Sequence, residues 1–468
     1  MTGLRERLGE GPGAVSRLAA AAALLIVALT FGGSSRQAPL GAMLVQLSAV
    51  PLLVMAVLEL RRGGLPPGSR AVLALLAAIV LAPLLQLAPL PPGLWSALPG
   101  RALLVAGADL AGLRDRWLPL SLNPTETFRA ALFLIPPAAM FLGVVTLERP
   151  ARSVLVGLLV GVALISILVG VVQVGAGGTL LRLYERALPG APQGFFANRN
   201  HQALFLVAAM LLVIGQWCGP RAFAPWLSRP FVGPLVVVIL MTGAAATLSR
   251  AGLGLLAGAL LGGLVLIWRL RGRRGAMSGG LALVAGSLAA GGLILWLRGR
   301  DIGARFLEDP TNEVRLKALP TLLEVGRHVQ PAGGGFGSFD RLYRAAEPLE
   351  SLGPLYLNNA HNDYLEIWIE GGVLAIVLLA AAAVLWLTRA FRIWRSREMD
   401  GLAGAATLVL AAFWAHAFVD YSIRTPALAT VAALAWGLMF EKSRGLGGAN
   451  ISTRGCTGYT HGGPSAKD

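Results

Sequence analysis

Apolar runs of membrane-crossing length succeed one another along almost the whole chain, and this restricts the fold more than any other feature. A helix needs about 20 apolar residues to cross a bilayer core of roughly 30 Å. Runs near that length fall at 15–32, 40–60, 70–88, 125–146, 153–174 and 200–217, and again at 231–248, 251–269, 279–297, 365–388, 401–419 and 425–440. The expected fold is therefore an all-α polytopic membrane protein with about twelve transmembrane helices. Composition agrees: the chain is 55% hydrophobic and only 14% charged, where soluble proteins carry about 25% charged residues. The first run resembles a secretion signal in composition, but a series of spans follows it, so it reads as the first transmembrane helix.

The 468 residues carry a net charge of +16. No platform of interleaved aromatic and basic residues accompanies that charge, so no nucleic-acid partner is expected. The arginines instead collect in short loops between apolar runs: Arg61, Arg62 and Arg70; Arg149 and Arg152; Arg221 and Arg229; Arg269, Arg271, Arg273 and Arg274; Arg389, Arg392, Arg395 and Arg397. With both termini in the cytoplasm, all five groups fall on the cytoplasmic side, as the positive-inside rule requires. The two cysteines, Cys218 and Cys456, are too few for a disulfide framework or a cysteine-rich metal site.

The opposite face is expected to hold the long segments 89–124, 175–199 and 298–364, and the tight junctions 249–250 and 420–424. In "SLNPTETF" the order Asn123, Pro124, Glu126 predicts a capped helix start. Segment 298–364 reads as one larger extramembrane loop on that face, with short helices broken by Pro320 and then the glycine-rich "PAGGGFGSF". Residues 1–441 form one transmembrane unit, and 442–468 read as a disordered cytoplasmic tail. Small residues at helical spacing, Gly252, Gly254, Gly258 and Gly262, and Ala380 to Ala383, predict close helix packing.

The polar clusters all fall on that opposite face. In "GFFANRNHQALF", Asn198 or Asn200 suits a helix cap, and His201 would then sit at the membrane interface. Arg199 is harder to account for, because the positive end of a helix dipole repels a cation. In "TLSRAGLG", Arg250 with Ser249 makes up almost the whole loop between two spans. It either snorkels to the headgroups or points toward a substrate at the bundle mouth. Arg315 stands in the amphipathic "DPTNEVRLKAL", and the glycines after it lack the Gly-Lys-Ser/Thr of a phosphate loop. In "NNAHNDYLEIWIEGG", Asp363 and Glu366 fit a capping box at a positive helix end. That leaves His361, flanked by Asn359 and Asn362, as a candidate general base. Asp420 and Arg424 in "FVDYSIRTP" make a further charged junction.

Arginines at a membrane mouth suit a lipid-borne phosphate or pyrophosphate, which guanidinium groups bind in forked, charge-assisted fashion. No cluster has metal-ligand spacing, so the phosphate charge would be met by arginine. The residues allow transfer of a group from a lipid-phosphate donor and do not name the group.

The strings "HNDYLEIWIEGG", "LSRAG", "FFANRNHQA", "SLNPTETFRAALFL" and "VDYSIRTPAL" resemble the O-antigen ligase and polysaccharide polymerase superfamily over most of residues 80–440. The resemblance implies a metal-independent glycosyltransferase of the bacterial inner membrane, without cofactor, with a C-type helical fold and an active face toward the periplasm. It implies an undecaprenyl-pyrophosphate-linked glycan as donor and a glycan, lipid A-core or protein hydroxyl as acceptor. By motif, Arg250 and Arg315 resemble the arginines that engage the donor pyrophosphate, with Arg199 beside them, and His361 the histidine that activates the acceptor. Asn198, Asn200, His201, Asn362, Asp363, Glu366, Asp420 and Arg424 are expected to support them. Two departures stand out: "RLKAL" lacks the aromatic usual after the second arginine, and the glycine turn reads Pro-Ala-Gly-Gly-Gly. The alternative from another class is a transporter or flippase of lipid-linked sugars, which would place polar groups near mid-bilayer.

Overall fold

The computed structural model describes residues 12–35, 39–184, 191–219, 227, 229, 231–307, 310–352 and 357–440, and for most of 274–315 the backbone alone. The expected tail, 442–468, and Arg221 lie outside the described residues, as do the side chains of Arg274 and Arg315.

The fold is almost wholly helical. In chain order the helices are α1 (Pro12–Phe31), α2 (Pro39–Gly63), α3 (Arg70–Gln86), α4 (Pro92–Ala97), α5 (Ala102–Leu110), α6 (Pro124–Phe133), α7 (Ile135–Thr146) and α8 (Arg149–Gly175). There follow α9 (Arg199–Cys218), α10 (Val232–Ala246), α11 (Arg250–Leu307), α12 (Pro310–His328), α13 (Phe339–Ala346), α14 (Asp363–Arg395), α15 (Gly401–His416) and α16 (Pro426–Leu438). The strands β1 (Pro89–Leu90) and β2 (Leu118–Pro119) pair antiparallel and close the base of the 89–119 excursion.

Among the described residues, seven stretches are long and apolar enough to cross a membrane: α1, α2, the α6–α7 run Pro124–Thr146, α8, α9, the first part of α11, and α14. Four further apolar helices among them, α3, α10, α15 and α16, have 10–17 residues. Every expected run except 279–297 falls on one of these. That run lies in the helical backbone of α11, with most of its side chains outside the described residues. The chain is thus a multi-pass helical membrane protein.

Two of the long helices are broken at glycines. Gly272 in α11 has φ 70° and ψ −173°, among the expected cluster of arginines. Gly372 in α14 has φ 62° and ψ −154°, which detaches the turns 363–371 from the apolar helix that follows. The expected span 365–388 is therefore two pieces, and the first carries the polar residues. Pro320, expected to break the 298–364 loop into short helices, lies inside a continuous α12. Proline at 320 leaves the carbonyl of Leu316 without its helical donor. Leu316 is exposed, so that carbonyl can turn to solvent.

The bundle is organised around α9. Its apolar window is 94% buried, against 17–44% for the other six spanning stretches. It packs on α8, α10, α11, α15 and α16, while α1, α2, α7 and α16 pack together alongside and α14 packs on α3, α12 and α15. At one end of the bundle α9 and α15 touch backbone to backbone: a Cβ on either Gly215 or Gly401 would strike the other's carbonyl oxygen. Of the expected packing glycines, Gly252 and Gly262 face Ala203 and Leu408, whereas Gly254 and Gly258 face open space.

The basic residues collect at that same end. Arg149 pairs with Asp400 at 2.5 Å. Arg152 donates to Leu147 O and Phe440 O. Arg269 donates to Ser396 O, Arg271 to Trp217 O and Arg389 to Met439 O. These carbonyls belong to the C-terminal ends of α7, α9, α14 and α16, where cations are favourable.

Gly372 also sets the fold of the glycine-rich turn. A Cβ there would strike Pro331 O and lie 2.7 Å from Gly333 N. Gly372→Ala combines that clash with a positive φ, and should cost roughly 1–3 kcal/mol or more. The expected result is a lower thermal midpoint and less monodisperse protein in detergent, with Gly254→Ala, which fills open space, changing neither.

Candidate active site

The polar strings singled out in the sequence meet at the other end of the bundle, at the starts of α9, α11 and α14 and in the link 417–425 between α15 and α16. Asp420, in that link, is fully buried. Its Oδ2 accepts from Asn198 Nδ2 at 3.0 Å and from Asn200 Nδ2 at 2.6 Å. Its Oδ1 faces His361 Nδ1 at 3.2 Å and accepts from the Tyr421 N–H at 2.9 Å. His201 Nε2 lies 3.9 Å from the same oxygen.

Burial by itself would raise the Asp420 pKa. The hydrogen bond from His361 and the nearby imidazoles of His201, His361 and His416 outweigh it and hold the carboxyl well below the usual carboxylate range. An ionised carboxylate can only accept, so Nδ1 of His361 is the donor in this contact. Tyr421 packs edge-on against both His361, at 4.8 Å between ring centres, and His201, at 5.1 Å. The His361 side chain retains 18% exposure, which leaves it reachable.

Local structure explains why His361 is presented this way. It has φ 50°, one of three positive-φ residues other than glycine among those described, with Leu181 and Leu248. Such a conformation persists only where surrounding bonds impose it. On one side the Ala360 N–H donates to Glu366 Oε2 at 2.7 Å. On the other, Asn362 caps α14, accepting from Leu365 N–H at 3.0 Å and donating to Phe418 O.

The expected capping box therefore does not form: Asn362 is the cap, and Asp363 and Glu366 are buried. They meet Arg424 instead. Its guanidinium lies 3.5 Å from Asp363 Oδ1, 3.1 Å from Glu366 Oε1 and 2.9 Å from Glu370 Oε2. Burial would lower the Arg424 pKa, but Glu366, Glu370 and Asp363 raise it above its ordinary value and keep the guanidinium charged. Positions 363, 366 and 370 share one helix face, so a single cation serves all three. Glu370 also accepts from the Gly337 and Phe339 N–H groups, which ties the glycine-rich turn to α14. Gln86 closes the same junction, donating to Glu370 O and accepting from the Phe336 N–H.

The remaining expectations divide. Asn198 caps α9 by accepting from the Asn200 N–H at 2.8 Å. His201, expected at the membrane interface, is 1% exposed, because its side chain turns inward to Asp420 and Tyr421. Arg199 and Arg250, both partly exposed, open α9 and α11 directly beside Asn200 and Ser249. Ser249 donates to Asn200 Oδ1 at 2.6 Å, which attaches the Arg250 turn to the Asp420 centre. Arg315 lies on α12, with its side chain outside the described residues. At Asn123, expected to cap α6 with Glu126, the side chain makes no capping bond, and Glu126 pairs with Arg129.

Sequence reading missed the role of Glu370. The available signal was an acid two turns into an apolar helix, in register with Asp363 and Glu366. It also missed Ser249, Gln86, Tyr421 and His416; a buried hydroxyl, amide or ring has no local pattern that separates it from a surface one.

The fold and this centre define a class: a multi-pass helical membrane protein with a histidine–carboxylate site at one end of its bundle. Residues 235–380 match the family model described as O-antigen ligase, so the chain carries a domain of that family, the one its motifs resemble. The family is a ligase/polymerase, glycosyltransferase-like enzyme type. The matched segment contains Arg250, Arg315 and His361, and ends before Asp420 and Arg424. No curated protein matches the chain.

Two outcomes follow. Arg424→Leu strands three buried carboxylates without their cation, and should cost about 3–5 kcal/mol. A large fall in thermal midpoint is expected, while Arg129→Leu, which removes an exposed ion pair, leaves the midpoint unchanged. For Asp420 the folded pKa lies below the unfolded value of about 3.9. Its contribution to stability is complete above that value and is lost as pH falls through it toward the folded pKa. The stability gap between wild type and Asp420→Asn should therefore stay constant above about pH 5 and narrow as pH falls below about 4, read from thermal melts in detergent.

Proposed function

We propose that this protein transfers a glycan from an undecaprenyl-pyrophosphate carrier to an acceptor hydroxyl at the periplasmic face of a bacterial inner membrane. The observation that carries the reading is the His361–Asp420 pair, in which a buried carboxylate faces Nδ1 of a partly exposed imidazole. It is held by the same asparagines that adjoin Arg199 and the Ser249–Arg250 turn.

In the reaction, the acceptor hydroxyl oxygen bonds to the anomeric carbon of the donor sugar, on the face opposite the pyrophosphate. The bond from that carbon to the pyrophosphate oxygen breaks, and its electron pair leaves with the pyrophosphate. The hydroxyl proton passes to Nε2 of His361. Asp420 stabilises the imidazolium that results. Arg250, Arg315 and Arg199 meet the charge that grows on the leaving group, where forked guanidinium donors are worth most. Arg424 has no part in this, since three carboxylates already occupy it.

The acceptor is a glycan, a lipid A-core or a protein hydroxyl, and no metal is required in the scheme. With both termini cytoplasmic, the arginine-rich end lies inside and the His361 end outside. A transporter or flippase is less well supported, because charged groups gather at the two ends of the bundle rather than midway along it.

The test is transfer from an undecaprenyl-pyrophosphate oligosaccharide by the purified protein in liposomes. His361→Ala and Arg250→Ala should each abolish transfer while the protein still inserts at wild-type level. Near-normal transfer by both variants would overturn the proposal, and movement of the donor across the bilayer without transfer would replace it with the flippase.

A further inference from the structure

Resting on that reading, we infer that Asn200 is a positioning residue that registers the donor-binding arginine turn against the base. Its side-chain amide uses both ends. The nitrogen donates to Asp420 Oδ2 at 2.6 Å, and the oxygen accepts from Ser249 Oγ at 2.6 Å. Asp420 in turn holds His361 at 3.2 Å. One chain of hydrogen bonds, Ser249–Asn200–Asp420–His361, thus runs from the residue before Arg250 to the imidazole, and crosses from α11 through α9 and the 417–425 link to the start of α14.

Three further features give the chain its function. Ser249 and Asp420 are both fully buried, so water does not compete for these bonds. The two ends of the chain are the turns at Leu248, φ 51°, and His361, φ 50°, each strained for a residue with a Cβ. Ser249 Oγ also accepts from the Gly252 N–H, which fixes the hydroxyl at the start of α11. Only a side chain with a donor and an acceptor on one planar group can occupy position 200: leucine offers neither, and aspartate cannot donate to Asp420 while ionised.

Removing Ser249 Oγ frees the Asn200 amide to turn, and should act in the same direction as removing Asn200 itself, more weakly.

The experiment compares wild type, Asn200→Leu, Ser249→Ala and the double variant in liposomes, with a synthetic undecaprenyl-pyrophosphate oligosaccharide as donor. Release of undecaprenyl pyrophosphate is followed. Asn200→Leu should lower kcat about tenfold or more, the size of one hydrogen bond to a charged group, and Asn200→Gln, which keeps the amide, should lose less. Because the two residues act in one chain, the double variant should match Asn200→Leu rather than multiply the two losses. A second reading needs no turnover: the rate of carbethoxylation of His361 by diethyl pyrocarbonate at one fixed pH, measured by mass spectrometry, reports how the imidazole is presented. That rate should change severalfold in Asn200→Leu. An unchanged kcat and carbethoxylation rate, or losses that multiply, overturn the positioning role while wild-type transfer leaves the glycan-transfer reading standing. Absence of transfer by wild type overturns that reading, and the inference with it.

Discussion

A carboxylate buried without compensation is among the most costly things a protein interior can hold, and four of them lie close together at one end of this bundle. Asp363, Glu366, Glu370 and Asp420 are each at most 1% exposed. The link 417–425 compensates them all: it supplies Arg424 to the three acids on α14, and it carries Asp420 to the histidines and asparagines. The two sets of contacts together tie α9, α14, α15 and α16 to this link. The helix starts, the glycine-rich turn and the conformation of His361 follow from it.

This arrangement divides the buried acids into two sets. Arg424 and its three partners are committed to one another and anchor the turns 363–371, which Gly372 detaches from the membrane-length helix after them. Asp420 is bonded by amides on one oxygen and by an imidazole on the other, a setting that orients the imidazole. Arg199 and Arg250 stand next in sequence to Asn198, Asn200 and Ser249, the residues that join Asp420 to the start of α11.

The two ends of the bundle show the same physics used in opposite ways. At the arginine-rich end, guanidinium groups donate to the last carbonyls of α7, α9, α14 and α16, a favourable contact with the negative ends of helix dipoles. At the other end, Arg199 and Arg250 stand at the positive starts of α9 and α11, where the dipoles oppose them. Cations in that position concentrate positive potential at the helix starts, which is the condition for anion binding there.

What the sequence determined by itself was the class of fold and most members of the polar cluster at one end of the bundle. Span-length apolar runs impose helices whatever their partners, and the arginine clusters give the bundle two unlike ends. The strings around Asn198, Arg250, His361 and Asp420 stood out because polar residues beside membrane-length helices are costly. The tertiary structure alone decided what each of them does. Asp363 and Glu366 look like a helix cap in one dimension, since a cap and a buried ion pair use the same residue types at the same spacing. Arg424 lies 54 residues from Glu370 and Asp420 lies 59 from His361, so no local pattern could pair them. Those pairings depend on the desolvation that packing imposes, and desolvation is a property of the folded bundle.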